Sequence, residues 1–574
     1  MSANKSFLSS QKYGYDFVVA TTQASINSGL KEYLDTIDQP TASLCFLADT
    51  KGNPTVQISL DDLKTRTGGI DPFEIPDGTD YSDPRIATLT KNMFVVGLKL
   101  KLGLPPGVMP KDMPAIVDLG SSANNVRFNL FCSEFEVIQN SPPSGFGGQG
   151  SWNVWSQPSG TPWYFSTTVN LVYEALDNEL DTPYFNNHPA QKKALLNQLK
   201  NLGSGAFSLQ QLLFDLDNAV VQSIPRIAGL DPSSDAGLIL TKSFVNLYFA
   251  SAKTHGEPVL SVHAVANAPD GSSLRLTGME REVSQFRDGN GVVVANPTPA
   301  QKQVVTLDYL CAANNNHLPG AAGFDWNWVD PANVDNESGI ISINRNTLAN
   351  YYRTLLASEV SRSCLKPWTS VTAHMMGSLD TNMRLTPGQT PQNSIIVPTG
   401  PTVLKISYAS NADNHDKSGL TYGEFDLHSS YDCSVSFAGS TITIVQHLVL
   451  YIYLQFDYTS ASGNVVDTTI TDTYTLSVGQ NGQLQSTASS STQDRSTTPD
   501  YGWFFDILAG GSSQKQIAGI KNYSNSVAKT TLKDIPAQDI QNFVFPGARV
   551  FTYKDVQFSE NQDLVTAVTY VKPG

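Results

Sequence analysis

The sequence predicts an α+β protein in which long antiparallel strands form a strongly curved sheet and a few apolar helices pack against it. Three observations predict this class. Charged residues make up 16 % of the 574 residues and hydrophobic residues 40 %, whereas an average soluble domain is about 25 % charged. Apolar and polar residues alternate over long segments that are separated by Pro and Gly residues, which is typical of strands. A few segments carry apolar residues at helical spacing instead.

Four segments carry the helical pattern. The first lies near residues 24–35, and the next two lie near 190–202 and 208–223, each with a stripe of leucines. The strongest lies near 344–363, where Asn344 is a good N-cap and apolar residues recur three and four apart. Each of these stripes is apolar enough to require a partner in the core.

The remaining sequence is mostly strand-like. Residues 238–310 read as strands with hairpin turns, and 441–478 reads as a long β-hairpin. The turn of that hairpin is predicted at Ser462–Asn464. Two such long paired strands suit a strongly curved sheet.

A similarity between two phrases of the sequence, which we call an echo, suggests two tandem modules. The phrase ASINSGLKEYL at 24–34 resembles SINRNTLANYY at 342–352, and both open a helix after a short strand. A second echo disagrees, because LCFLADTKGNP at 44–54 follows its helix whereas LCAANNNHLP at 310–319 precedes its own. At least one echo is coincidence, and we favour the helix echo, which places a division near residue 330.

Charge and hydropathy exclude several classes of protein. Lys and Arg number 37 against 52 Asp and Glu, giving a net charge of −15, which disfavours nucleic-acid binding. The strongest apolar run, 442–458, is interrupted by polar residues and is too short to span a bilayer. The first residues lack an apolar signal-peptide core. We therefore expect a cytoplasmic protein, or one secreted without a leader, with at most peripheral membrane contact.

No catalytic or metal-binding motif is found. The sequence contains no GxxxxGK[ST], HExxH or GxSxG, and its five cysteines form no CxxC. His415 and His428 are not at a known ligand spacing. Residues 413–419 loosely resemble a calcium loop but lack its closing Glu, and a hairpin turn is the better interpretation. We expect no catalytic residues, no metal and no cofactor, and Trp326 and Trp328 are expected in the core.

Architecture then becomes the main indication of function. A sheet that curls around an apolar helix without filling the space encloses an elongated apolar cavity. Such a cavity binds apolar molecules and needs no catalytic residues to do so. A filled core is the open alternative. The residues that we predict to bind such a ligand lie on two stripes: Leu209, Leu212, Leu213, Leu216, Leu348, Tyr351, Tyr352 and Leu355.

Three short tracts resemble a known family. They are Tyr13–Val18 (YGYDFV, followed by Ile26-Asn27), the YLC…WNWV…INRN tract at 309–346, and FVFPGARVFTYKDVQF at 543–558. Together they resemble the forty-seven-kilodalton and OrfX-type proteins of botulinum neurotoxin gene clusters. The tracts are short and spread from the first residues to the last strands. Tyr15 stands where the family phrase has Trp.

The resemblance implies the tubular lipid-binding (TULIP) fold, a highly curved antiparallel sheet wrapped around a long helix. It implies a lipid as ligand class, and it offers no catalytic motif to carry over. We therefore predict two TULIP-like modules, 1–330 and 331–574, in a soluble, non-enzymatic protein that binds a lipid or another apolar small molecule. One alternative is an interaction component of a toxin-like or defence assembly, with a protein partner and no ligand. The other is an enzyme with unrecognised scattered catalytic residues.

Overall fold

The computed structural model describes residues 2–143, 148–199, 207–266, 274–480, 482–499, 543–544 and 550–571. Strands make up 45 % of the structure and helices 20 %, which confirms a β-rich α+β protein. The α-helices of the described residues, in chain order, are α1 (Gln23–Thr36), α2 (Leu60–Thr67), α3 (Pro84–Lys91), α4 (Pro183–Asn187), α5 (Pro189–Leu199), α6 (Asp235–His255), α7 (Pro299–Gln303) and α8 (Arg345–Ser363).

The strands of the described residues are, in chain order, β1 (Phe17–Thr22), β2 (Ala42–Ala48), β3 (Pro54–Ile58), β4 (Phe94–Leu102), β5 (Val117–Asp118), β6 (Asn125–Ser141), β7 (Ser151–Ser156), β8 (Tyr164–Leu176), β9 (Phe207–Ser223), β10 (Ser261–Ala266), β11 (Leu276–Ser284), β12 (Thr306–Ala313), β13 (Gly339–Ile343), β14 (Lys366–His374), β15 (Ser378–Thr386), β16 (Asn393–Ile396), β17 (Thr402–Ser418), β18 (Thr421–Ala438), β19 (Thr441–Phe456), β20 (Thr459–Val478), β21 (Leu484–Asp494), β22 (Phe543–Val544), β23 (Val550–Tyr553), β24 (Gln557–Phe558) and β25 (Leu564–Val571).

Three large antiparallel sheets and one hairpin contain these strands. A ten-stranded sheet has the order β22-β10-β9-β8-β6-β4-β2-β3, with β5 and β7 also paired to β6. A seven-stranded sheet has the order β11-β12-β1-β13-β25-β23, with β24 paired to β25. A six-stranded meander runs from β16 to β21, and β14 pairs with β15. The β-sheet structure is a curled half-barrel.

One long helix covers each of two sheets. Helix α6 packs on β2, β4, β6 and β9 of the ten-stranded sheet, and α8 packs on β16, β17 and β18 of the six-stranded sheet. A single hydrophobic cluster runs from Phe17 to Val568 and includes the buried faces of both helices. The two helix–sheet layers therefore share one continuous core.

The seven-stranded sheet joins the two halves of the sequence. Its strand β1 pairs with β12 on one side and with β13 on the other. The sheet thus continues with no gap in hydrogen bonding from the strands of 1–330 (β11, β12 and β1) to those of 331–574 (β13, β25, β23 and β24), and the two sets meet at the β1–β13 pair. The division into two modules at residue 330 stays a prediction.

Three of the four predicted helices are helical where the chain is described. Helix α1 covers the prediction near 24–35, and Thr22 caps it by accepting a hydrogen bond from the Ser25 backbone N–H. Helix α5 ends at Leu199, and the end of the predicted helix 190–202 lies outside the described residues. Helix α8 begins after the N-cap Asn344, as predicted.

The predicted helix 208–223 is wrong, because this segment is strand β9. It pairs with β8 on one side and with β10 on the other. The consecutive residues Leu212 and Leu213 are both buried, so the strand is covered on both faces. Such a strand reads as a nearly continuous apolar run, and leucines within that run also satisfy the spacing of a helix.

The opposite error concerns residues 238–310, where strands were expected and α6 occupies the beginning. Ser234 caps this helix by accepting a hydrogen bond from the Gly237 backbone N–H. Its buried face repeats at Phe244, Tyr248 and Ala252, every fourth residue. Aromatic and β-branched residues, which also favour strands, conceal this period in the sequence.

The long hairpin 441–478 is confirmed, but its turn lies earlier than predicted. Strand β19 ends at Phe456 and β20 begins at Thr459. Asp457 adopts a positive φ of 48° in the turn, a conformation that Asp and Asn tolerate better than most residues. The predicted turn at Ser462–Asn464 lies inside β20.

Candidate functional site

Helix α6 is held on the curled sheet by aromatic packing. The ring of Phe244 stacks on Phe165 of β8, with centroids 3.5 Å apart, and meets Phe135 of β6 edge-on at 5.2 Å. The Tyr248 hydroxyl donates a hydrogen bond to the Phe131 carbonyl at 3.1 Å. Burial raises the pKa of Tyr248 well above its ordinary value. The helix therefore presents a mainly apolar face to the sheet.

An apolar pocket lies where α1 and α6 meet this sheet. Its cavity volume is about 20 Å³, which holds about one water molecule, whereas small-molecule sites are roughly 300–1,000 Å³. The pocket is therefore nearly filled by its own walls. Its lining consists of apolar and tyrosine side chains: Leu30, Tyr33, Leu34, Leu102, Ile116, Phe128, Leu216, Tyr248, Phe249, Ala252 and Pro258.

One predicted site residue of β9, Leu216, lines this pocket. The other three predicted residues of that strand are buried in the same continuous core: Leu209, Leu212 and Leu213. Within the described residues, no predicted residue of α8 belongs to the pocket lining. The two predicted stripes thus lie in different helix–sheet layers, and their role in binding a ligand stays a prediction.

On α8, the predicted residues face the six-stranded sheet. Leu348 and Tyr351 are buried, while Leu355 is half-buried at the edge of the layer. Tyr352 is completely buried and its ring lies 5.9 Å from that of Phe437 on β18. Its hydroxyl has no hydrogen-bond partner among the described residues. A buried hydroxyl without a hydrogen-bond partner costs free energy of folding. The Tyr352 hydroxyl is therefore available for one further hydrogen bond.

A second, polar cleft runs along the outer side of α1. Its volume is about 480 Å³. The Lys31 ammonium group donates hydrogen bonds to the carbonyls of Pro110 and Met113, at 2.6 and 3.2 Å, and burial lowers the pKa of Lys31. Asp35 and Lys111 also line the cleft, so its walls carry charges of both signs. Such walls do not suit an acyl chain.

Three hairpin turns expose large apolar side chains at one end of the six-stranded sheet. We call these residues the apolar tips: Met375 and Met376 between β14 and β15, Leu420 between β17 and β18, and Tyr458 between β19 and β20. Met375 is 81 % exposed, and Met376, Leu420 and Tyr458 are almost completely exposed. Isolated exposed apolar residues are ordinary, but a group at one end of a molecule indicates a binding surface.

The three turns that carry the apolar tips are adjacent to one another. The Cγ of Met375 lies 3.9 Å from the point that a Cβ on Gly419 would occupy, and Gly419 precedes Leu420. The Tyr422 backbone N–H donates to the Asp457 carboxylate at 2.7 Å, and the Asp457 N–H donates to the Tyr422 carbonyl at 2.8 Å. The second and third turns are therefore hydrogen-bonded together, and the first packs against the second.

A buried carboxylate lies under an aromatic cluster. Asp308 on β12 is fully buried and accepts hydrogen bonds from the Ser284 hydroxyl and, at 3.1 Å, from the Trp328 indole N–H. Burial raises the pKa of Asp308 to about 7. The rings of Trp326 and Trp328 meet edge-on at 5.3 Å, and both are buried, as predicted.

A second buried carboxylate, Asp563, lies at the start of α8. It accepts hydrogen bonds from the Leu8 backbone N–H at 2.6 Å, the Ser6 hydroxyl at 2.9 Å and the Arg345 backbone N–H at 3.0 Å. Burial raises its pKa to about 6. The Arg345 guanidinium is itself buried and donates to the Val397 carbonyl at 2.9 Å. Both carboxylates hold structural partners, and the absence of enzymatic activity stays a prediction.

In the part of the chain that the structure covers, no helix is both long and apolar enough to span a bilayer.

Comparison with solved structures finds distant neighbours, two of which are described here. No protein-family model and no curated protein matches the sequence. A solved structure described as "Crystal structure of P47 of Clostridium botulinum E1" is 11 % identical, aligns over 97 % of this chain and 98 % of that chain, and has a TM-score of 0.41. Another, described as "Crystal structure of lipopolysaccharide binding protein", is 10 % identical over 97 % and 99 % of the two chains, with a TM-score of 0.29.

The sequence-based resemblance to the forty-seven-kilodalton type is thus confirmed as a similarity.

Proposed function

We propose that this protein is a non-enzymatic lipid-binding protein that contacts a bilayer through its apolar tips. The observation that carries the proposal is the near-complete exposure of Met376, Leu420 and Tyr458, with Met375 beside them, on three adjacent turns. Burying one large apolar side chain is worth about 1.5–3 kcal/mol. Tyr suits the membrane–water interface, where its ring is buried and its hydroxyl stays wet.

The charge of the chain limits the kind of bilayer. A net charge of −15 opposes approach to anionic lipids. The contact proposed here is apolar insertion, which needs no attraction between charges. A bilayer of zwitterionic phosphatidylcholine is therefore the expected target, and added anionic lipid is expected to weaken binding.

The proposal includes an internal site for an acyl chain. The apolar pocket between α1, α6 and the curled sheet supports it, because the lining is apolar and includes the predicted residue Leu216. The pocket is too small for a chain as it stands, so binding requires α1 or α6 to move away from the sheet. The elongated cavity would form by widening the pocket along α6.

Charging the apolar tips is expected to abolish vesicle binding. In the triple variant Met376→Asp, Leu420→Asp and Tyr458→Asp, each substitution removes an insertion contact, and 1.4 kcal/mol already weakens binding about ten-fold. Co-sedimentation with phosphatidylcholine vesicles measures the effect. Met109→Asp is the matched control, since Met109 is 58 % exposed but lies outside the three turns.

Two results would refute membrane contact at this end of the molecule. One is equal binding by the triple variant and the unmodified chain. The other is no binding by the unmodified chain to any vesicle. If light scattering then shows an assembly that the triple variant loses, the apolar tips bind protein, and the interaction-component alternative is correct.

Filling the pocket is expected to block uptake of an acyl chain. Ala252 lines the pocket from α6 and is buried, so Ala252→Leu places three more carbon atoms there, at a cost of about 1–3 kcal/mol in stability. Ala250, on the exposed side of the same helix, provides the control Ala250→Leu. Titration with a fluorescent fatty acid should show binding by the control and not by Ala252→Leu. Equal binding by both folded variants would place the chain elsewhere.

A further inference from the structure

The outer face of the β17–β18 hairpin brings together a group that the sequence analysis did not assemble. The strand register places Asp413 opposite Asp426 and Asn411 opposite His428. One ligand atom from each of Asp413, Asp426 and His428 lies within 4.8 Å of the others. Residues 413–418 belong to β17, so the expected hairpin turn is confined to Gly419 and Leu420.

The side chains of this group are held in place but not all satisfied. His428 Nε2 lies 2.6 Å from Asp413 Oδ1, which fixes the imidazole beside the carboxylate. Asp426 Oδ1 is shielded from solvent and has no hydrogen-bond partner among the described residues. A cation between these groups would satisfy the free oxygen and cancel the repulsion between the two carboxylates.

We propose that Asp413, Asp426 and His428 form a surface site for a divalent transition metal, Zn²⁺ in the first place. Carboxylate oxygen and imidazole nitrogen are ordinary zinc ligands, and three protein ligands leave the fourth position to water. Ca²⁺ and Mg²⁺ prefer sets of oxygen atoms only, so the nitrogen donor selects against them. On binding, the metal replaces the contact between His428 and Asp413. The site is independent of lipid binding.

The same sheet contains a natural control for an ordinary histidine–carboxylate pair. His447 on β19 lies 2.9 Å from the Asp467 carboxylate on β20. Among the described residues, no third ligand atom lies close enough to this pair to share a metal ion with it. In the same part of the chain, Asp413, Asp426 and His428 are the one group of three potential ligands whose atoms lie within 4.8 Å of one another. The two sites therefore differ in the additional carboxylate of Asp426.

The experiment is calorimetric titration of the full chain, after removal of metals with a chelator, with zinc chloride. We expect one equivalent of Zn²⁺ with an affinity in the micromolar range. His428→Ala and Asp426→Asn should each weaken it by about ten-fold or more. His447→Ala should bind as the unmodified chain does. All three substitutions lie on half-exposed sheet positions, and thermal unfolding without metal checks that the fold is kept.

Three results would overturn the site. Equal affinity in His428→Ala and the unmodified chain would show that the metal binds elsewhere. An equal loss in His447→Ala would show general binding to surface imidazoles. Competition by equimolar Ca²⁺ would show that the nitrogen donor plays no part. Loss of the absorption bands of Co²⁺ in Asp426→Asn, with retention in His447→Ala, would support the site independently.

Discussion

Replacing Asp563 by alanine is expected to lower the free energy of unfolding by about 3–5 kcal/mol. The carboxylate satisfies two buried backbone donors, the N–H groups of Leu8 and Arg345, and one hydroxyl, that of Ser6. An unsatisfied buried donor costs about 1–3 kcal/mol. The substitution also leaves the buried Arg345 guanidinium without its nearby carboxyl group, whose charge favours the cation.

Denaturant unfolding measures this effect, with Asp432→Ala as the control. Asp432 is exposed on β18, and substitutions at such positions usually change stability by less than about 0.5 kcal/mol. Asp563→Asn should lose less than Asp563→Ala, because the amide oxygen still accepts hydrogen bonds. If Asp563→Ala lost less than about 1 kcal/mol, these hydrogen bonds would not stabilise the junction between residues 6–8 and α8.

The second large effect is a dependence of stability on pH that comes from Asp308. Its folded-state pKa, about 7, is above the ordinary 3.8. Between these values the folded protein holds a proton that the unfolded chain has released. The stability that Asp308 contributes by holding this proton is therefore complete below about pH 4. It falls as the pH rises from there and is lost once the pH has risen through about 7. The loss amounts to roughly 4 kcal/mol. Asp563, with a pKa raised to about 6, acts in the same direction.

The measurement is the free energy of unfolding at pH 5 and pH 8, for the unmodified chain and for Asp308→Asn. The asparagine cannot ionise but can still accept hydrogen bonds from Ser284 and Trp328. We expect the variant to lose much less stability between the two pH values. The comparison removes the general effect of the chain's net charge, which both proteins share. Identical losses would mean that Asp308 does not titrate in this range in the folded protein.

Regular periodicity made some elements predictable and not others. Helices α1 and α8 were predictable because polar residues separate their apolar stripes and a capping residue marks each start. Strand β9 was assigned the wrong structure because it is apolar on both faces, so that its period of two is lost and its neighbouring strands decide the conformation. Helix α6 keeps a regular buried face, but its aromatic and β-branched residues also favour strands.

The surface sites required the strand register. Asp413 and His428 are distant in the sequence, and they meet only because the turn at Gly419–Leu420 aligns β17 with β18. The apolar tips did carry a signal, since Met375 and Met376 stand together between two alternating segments. Their proximity to Leu420 and Tyr458 depends on the order of three hairpins, which the sequence does not state.

The position of β1 has a consequence for synthesis of the chain. Both neighbours of β1, the strands β12 and β13, are made much later, the first of them about 280 residues after Thr22. At about 5–20 residues per second, this delay is roughly 15–60 s. Throughout it, both edges of a strand of sequence FVVATT lack their native partners, and such edges are sites of aggregation. Translation speed and chaperone binding near β1 are therefore expected to determine how much of the protein reaches its native state.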